Sequence, residues 1–190
     1  MREEIYSELK ASADLKQAVL ADLELQQGLA DLAGDCINVL KNGGRIFFCG
    51  NGGSFADAQH LAAELVSRLR FNRDALSAIA LGTNSSNLTA IGNDYGYEQV
   101  FARELKALGR PGDLLIAIST SGNSPNVLLA AETAKTMDII TYALTGQSGG
   151  KLASLCHCLK VPSSQTDKIQ EIHIMMGHIV CHLIEKTLFS

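Results

Sequence analysis

Two rhythms of apolar and polar positions run along this chain. Between residues 4 and 41, Ile5, Leu9, Leu15 and Val19, then Leu29, Leu32, Ile37 and Leu40, recur at helical spacing. That spacing predicts helix in two pieces, stopped by Gly43-Gly44. From residue 45 short unbroken apolar runs take over, each leading through a turn-rich loop into a helical pattern. Strand, loop and helix are expected over 45–69 and again over 113–136, with further strands at 77–82, 138–145 and near 157–161, ahead of Pro162. Helices are expected around 85–92, over 97–108 up to Gly109, and from about 166 to 188. The turn Gln147-Ser148-Gly149-Gly150 follows the fourth strand. The run Leu114 to Ile118 has no polar interruption, as a strand buried on both faces requires. The alternation predicts an α/β fold with a parallel sheet covered on both sides. Ligands of such sheets sit beyond the carboxyl ends of the strands.

Two loops fall at that edge. The first, Gly50-Asn51-Gly52-Gly53-Ser54, joins Ile46-Phe47-Phe48 to a helix. Its glycines let backbone approach a ligand, and the helix start favours an anion, above all a phosphate. The second follows Leu114–Ile118 and holds Ser119, Thr120, Ser121 and Ser124, with Ser124-Pro125 placed as N-cap and first helical residue. Serines are common in turns, but four hydroxyls in six residues beside a helix start suit an anion without any fixed cation.

The helix after the first loop carries His60 and, four residues on, Glu64, which share one face. The last helix is apolar nearly all round, so it is buried by its own domain or by a partner chain. It carries Gln170, His173, His178 and His182. A histidine on a buried helix is more often a hydrogen-bonded core residue than a ligand. Gln170 and His178 lie on adjoining stripes two turns apart, and with His60 and Glu64 they would suit zinc or a similar divalent ion. Spacing alone leaves open whether the two helices meet.

Composition narrows the picture. The 190 residues are enough for one domain with a real core, here 1–190 with an N-terminal helical segment 1–42 and an α/β core 43–190. A net charge of −4 argues against a broad nucleic-acid surface. No basic signal region opens the chain and no apolar run reaches membrane-spanning length; in Ile169–Phe189 polar residues interrupt the run. Five cysteines without framework spacing suit a reducing compartment, so a cytoplasmic location is expected. Cys156-His157-Cys158 lacks a second pair and reads as buried thiols of a strand rather than a metal knuckle.

CGNGGSFADAQHLAAEL (49–65), AIGNDYG (90–96), AISTSGNSPNV (117–127), ALTGQSGG (143–150) and DKIQEIHIMMGH (167–178) resemble the sugar isomerase (SIS) domain family, and within it the phosphoheptose isomerases, over essentially the whole length. The resemblance implies a three-layer, flavodoxin-like sandwich around a five-stranded parallel sheet, with extra N-terminal helices. It implies a homotetramer with active sites shared between subunits, which suits the uncovered apolar faces of the terminal helices. The implied reaction is aldose–ketose isomerisation of D-sedoheptulose 7-phosphate to D-glycero-D-manno-heptose 7-phosphate, a precursor of bacterial surface heptose such as that of lipopolysaccharide.

By the same resemblance Glu64 and His178 are the acid/base pair, and His60, Glu64, Gln170 and His178 hold zinc. Asn51, Gly52, Gly53, Glu64, Arg68, Asn93, Asp94, Ser119, Thr120, Ser121, Ser124, Asp167 and Gln170 contact substrate, with Asp57 orienting His60. Arg68 also reads as part of a solvated helix end, RLRFNR (68–73), and Asp167 as the first-turn charge of the last helix. Some relatives of this fold are non-catalytic and associate with a DnaA-type replication initiator, and the ending LIEKTLFS is reminiscent of them. The presence of both Glu64 and His178 favours an enzyme. An isomerase of another sugar phosphate is the third reading.

Overall fold

A computed structural model describes residues 1–189. Two helices at the start, α1 (Arg2–Ala21) and α2 (Leu23–Lys41), are separated by Asp22, whose carboxylate accepts from Leu25 N–H at 2.9 Å and so caps α2. Then follow β1 (Ile46–Gly50), α3 (Gly53–Val66), β2 (Ala78–Ala80), α4 (Ser85–Tyr95), a 3₁₀ turn (Tyr97–Gln99) and α5 (Val100–Leu108). The chain continues with β3 (Leu114–Ile118), α6 (Pro125–Thr136), β4 (Ile140–Thr145), a second 3₁₀ turn (Gly150–Ser154), β5 (His157–Lys160) and α7 (Thr166–Phe189). The expected elements are all present. The main extension is α4, which runs to Tyr95 rather than 92, so Asn93 and Asp94 lie in its last turn.

The five strands are all parallel, in the order β2-β1-β3-β4-β5. β1 and β3 are buried at every position, as their unbroken apolar runs require. Side chains alternate across the sheet: Ile46 and Phe48 join a core with α2, α3 and α7, while Phe47 and Cys49 join one with α5 and α6. In this strand order the connection reverses direction between β1 and β3, which opens a crevice at their carboxyl ends. Both singled-out loops flank that crevice.

α3 and α7 pack side by side. A Cβ on Gly177 would stand 2.5 Å from Leu61 Cδ1, so the absence of a side chain there sets how close the helices come. Further along the pair a buried polar knot closes the contact. Glu185, with no exposed surface, accepts from Leu69 N–H (3.1 Å), Arg70 N–H (2.9 Å) and Arg73 Nε–H (3.1 Å). The Arg73 guanidinium in turn donates to the carbonyls of Glu64 and Leu65, both at 2.8 Å, capping the end of α3. RLRFNR is therefore a divided segment: Arg68 and Arg70 are exposed, and Arg73 is the buried ion-pair partner. α1 is held less firmly. Lys168 on α7 reaches Glu8 Oε2 and Ser12 Oγ, each at 3.0 Å. Only Val19 of α1 is buried, while Ile5, Tyr6 and Leu9 stand exposed.

Two expectations need correction. Cys156 precedes β5 rather than lying in it, and Cys156 and Cys158 are half-buried, because β5 is an edge strand with one neighbour. Ser124 occupies the N-cap of α6 without capping it, since its hydroxyl turns to Ser119 instead.

Burial pushes the Glu185 carboxyl up, but the two backbone donors and Arg73 outweigh it and hold the group below its ordinary 4.5. A lowered folded value contributes stability above the unfolded one and loses it as pH falls through the folded one. Glu185→Gln, which strands the Arg73 charge, is expected to cost about 3–5 kcal/mol at neutral pH. The variant should also lose less stability than the parent on acidification below pH 4.5, as read by urea unfolding at each pH.

Candidate active site

The loop after β1 and the start of α3 are glycine-built. Gly52 is in positive φ (+56°) at the N-cap of α3, and no side chain caps that helix end. A Cβ on Gly53 would meet the Gln170 carboxamide at 2.8 Å, so Gln170 of α7 lies against the first loop. Two turns further along both helices His60, Glu64 and His178 come together. His60 Nε2 is 2.8 Å from His178 Nε2 and 3.2 Å from Glu64 Oε1, and the two rings meet edge to face with centroids 5.0 Å apart. One donor atom from each of the three lies within 4.8 Å of the others. Two imidazole nitrogens and a carboxylate oxygen at such separations match the donor chemistry of zinc. Gln170 stands about 12 Å of helix rise from His178, so both side chains must extend toward one point to share a ligand.

Asp57, one turn before His60, is half-buried and its Oδ2 is sealed from solvent without a hydrogen-bond partner. The expected orientation of His60 by Asp57 is thus not made through that oxygen. Burial raises the Asp57 carboxyl, against the pull of His60 and His178. The other histidines of α7 separate as core and rim. His173 is fully buried with Nε2 3.2 Å from the Thr145 carbonyl, and burial pushes its pKa down to about 4. It is a neutral core residue. His182 Nε2 accepts from the Arg70 guanidinium at 3.2 Å.

The serine loop is braced from below. Ser119 and Ser124 hydroxyls lie 3.0 Å apart, and Ser121 Oγ accepts from Asn123 N–H at 3.1 Å. Gly146 N–H donates to Thr120 O (2.9 Å) and Leu152 N–H to Gly122 O (3.1 Å), so the 146–152 segment straps this loop down. Gly122 sits at φ +65° with the Gly149 backbone directly against it. The two loops are joined by a residue that sequence reading passed over. Asn126, buried in the first turn of α6, exchanges two hydrogen bonds of 2.8 Å with Asn51. It sits inside the quoted motif AISTSGNSPNV, and no periodicity or charge sets it apart. Asn93 and Asp94 are exposed and bonded to each other at 2.8 Å, and Arg68 and Asp167 are exposed.

Fold and crevice together define a sugar isomerase: the SIS domain family model matches residues 9–146. The chain belongs to the phosphoheptose isomerase family of SIS domains. It is 52% identical over 190 residues to the phosphoheptose isomerase of Aneurinibacillus thermoaerophilus, covering 100% of this chain and 96% of that one. Identity is 50% over 184 residues to that of Akkermansia muciniphila, covering 93% and 97%. The phosphoheptose isomerase GmhA structure from Neisseria gonorrhoeae superposes with a TM-score of 0.91 at 42% identity, covering 97% of this chain and 98% of that one. The phosphoheptose isomerase of Francisella tularensis gives 0.92 at 37% identity, covering 97% of each. With relatives of this identity named as isomerases, the non-catalytic initiator-associating reading is not favoured.

The glycine geometry separates two substitutions. Gly53→Ala displaces only the flexible end of Gln170 and should cost under about 1 kcal/mol. Gly122→Ala meets backbone and forces positive φ on a side chain, so a loss of roughly 1–3 kcal/mol or more is expected. Thermal melts of the two variants side by side check the contrast.

Proposed function

We propose that this enzyme converts D-sedoheptulose 7-phosphate to D-glycero-D-manno-heptose 7-phosphate by proton transfer between Glu64 and His178. The observation that carries the reading is the meeting of Glu64, His60 and His178 on two packed helices, below a crevice flanked by a glycine loop and a serine loop. His60 is seven residues beyond Gly53, about 10 Å of helix rise, so a phosphate at the loops can present its far carbons to the triad. In this reading Ser119, Thr120, Ser121 and Ser124 hold the phosphate, with Gly52 and Gly53 backbone at its side. Asn93, Asp94, Arg68 and Asp167 meet sugar hydroxyls.

Isomerisation needs one proton moved between carbons and one between oxygens. Glu64 takes a proton from C1 of the ketose while His178 gives one to the carbonyl oxygen on C2, leaving an enediol. His178 then takes the proton from the oxygen on C1, and Glu64 returns its proton to C2. No electrons leave the sugar, so no redox cofactor enters the balance. Half-burial suits Glu64 to this work, since its side chain keeps 18% of its surface exposed and one edge open to a ligand. We assign the triad, with Gln170 as fourth donor once its side chain turns from Gly53, to one zinc ion that would polarise the carbonyl oxygen, the bonds from Glu64 and His178 loosening when those groups take up or release a proton. His60 then serves by holding that ion and by fixing the ring of His178 edge to face.

We further read the chain as one domain of a cytoplasmic homotetramer with shared sites, serving synthesis of bacterial surface heptose such as lipopolysaccharide. The exposed Ile5, Tyr6 and Leu9 on α1 support assembly, and five free cysteines support a reducing compartment. No helix among the described residues is long and apolar enough to cross a membrane.

Incubation with sedoheptulose 7-phosphate should yield the aldose 7-phosphate, followed by proton NMR of the anomeric region; absence of product under any metal loading removes the reading. Glu64→Gln should lower kcat by roughly 10²–10⁴-fold with phosphate affinity retained. Chelation should lower the melting temperature, and zinc at about a hundred times its Kd should restore roughly 2.7 kcal/mol. A His60→Ala chain should show neither response.

A further inference from the structure

We propose that Asn126 and Tyr97 are positioning residues: with Asn51 they form a hydrogen-bonded clasp that fixes the glycine loop against the serine loop. The inference rests on the reading of both loops as substrate-binding. It starts from the side chain of Asn51, which the family resemblance counts among the substrate contacts but whose carboxamide is bonded to Asn126 and Tyr97.

The direction of every bond in the clasp follows from one backbone group. Val127 N–H can only donate, and it donates to Asn126 Oδ1 at 3.0 Å. That identifies the oxygen of Asn126, and hence its Nδ2, which donates to Asn51 Oδ1 at 2.8 Å. Asn51 Nδ2 is then turned to donate to Asn126 Oδ1, again at 2.8 Å. The Tyr97 hydroxyl, 3.1 Å from Asn51 Oδ1, is the donor in that contact. Each carboxamide oxygen therefore accepts two hydrogen bonds and has no lone pair left. Asn51 is occupied by protein and not free for a sugar hydroxyl through its oxygen. What the first loop offers a ligand is the backbone of Gly52 and Gly53.

The clasp joins three separate stretches of chain. Asn51 leaves β1, Asn126 opens α6 two residues after Ser124, and Tyr97 stands three residues after Asp94. Asn126 is 2% exposed, so its carboxamide is a buried polar group whose bonding is complete only when Asn51 is in place. Asn51, Tyr97, Ser124 and Asn126 line one small cleft of ≈ 200 Å³ beside the serine hydroxyls. A shift of the first loop relative to the second would break two of the buried bonds at once. The geometry thus acts on the distance from phosphate to reacting carbons rather than on phosphate capture.

The variants follow from the bond directions. Asn126→Asp is isosteric but sets an acceptor against Asn51 Oδ1, while Tyr97→Phe removes one hydrogen bond from an exposed residue and leaves the buried pair intact. With sedoheptulose 7-phosphate as substrate, kcat/KM should fall roughly tenfold to a hundredfold in Asn126→Asp and roughly three- to tenfold in Tyr97→Phe. The inhibition constant of inorganic phosphate should stay within about twofold of the parent's. The double variant should lose less than the product of the two single losses, because both act through Asn51.

A kcat/KM within twofold of the parent in Tyr97→Phe and in any folded Asn126→Asp overturns the proposal. So does phosphate affinity falling in step with turnover, or multiplicative losses in the double variant. Where the parent does not turn over, the reading of function fails by itself, and calorimetric binding of sedoheptulose 7-phosphate replaces kcat/KM. A parent that binds this sugar phosphate no more tightly than inorganic phosphate overturns the clasp as well.

Discussion

The closeness of α3 to α7 is the constraint on which the site depends. His60 and Glu64 belong to one helix and His178 to another 118 residues later in the chain. Nothing local brings them together. Helix axes approach to within the reach of two short side chains only where bulk is missing from the seam, and Gly177 supplies that gap against Leu61. A glycine inside a helix is costly relative to alanine. Here that cost is offset by the ridge of Leu61 entering the space. One residue further on, about 100° around the helix, His178 stands at the rim of the seam, where it meets His60.

The opposite end of the seam is pinned differently. Arg73 and Glu185 are buried together, and their worth lies less in net stability than in the geometry they impose. The guanidinium binds the carbonyls of Glu64 and Leu65 while its partner belongs to α7. The last turn of α3, from which the Glu64 side chain projects, is thereby tied to the helix bearing His178. A packed gap at one point and a charge-assisted knot two turns away leave little freedom for sliding or rotation. At the top of the sheet the Asn51–Asn126 pair plays a corresponding part for the loops. Apolar packing sets the meeting of His60, Glu64 and His178, and directional polar bonds set the two loops.

Much of this was legible in the residues. Unbroken apolar runs located the buried strands, and glycine and serine clusters after β1 and β3 located the crevice, since loop chemistry at a strand's carboxyl end is a local property. The His60–Glu64 pair was legible because four-residue spacing on a helix is also local. The contact between α3 and α7 was not. Gly177 in a run of mixed apolar residues carries no mark of a close approach. Arg73 lies among three arginines in six residues, and only the buried Glu185 distinguishes it from Arg68 and Arg70. Asn126 was hidden for the same reason, because a second-loop asparagine becomes a structural element only when its partner 75 residues away is known. Histidine number misled least: His173 behaves as a core residue, as most helical histidines do, because the apolar surround holds it neutral.

The N-terminal helix presents apolar surface that its own chain leaves uncovered. α1 is twenty residues long and buries only Val19, yet it carries Ile5 and Leu9 in the helical register that elsewhere marks a core face. A long helix fixed by one buried lysine and a few apolar contacts gains little from its own domain, since most helical stability in proteins comes from burying an apolar face. Lys168 bonds Ser12 and the Glu8 carboxylate on α1 and sits next to Asp167 at the start of α7. The anchor of α1 is therefore adjacent in sequence to Asp167 and two residues from Gln170, both read here as substrate contacts. A second copy covering Ile5, Tyr6 and Leu9 would press α1 onto the opening turn of α7. Assembly and that end of the crevice would then share one short stretch of helix.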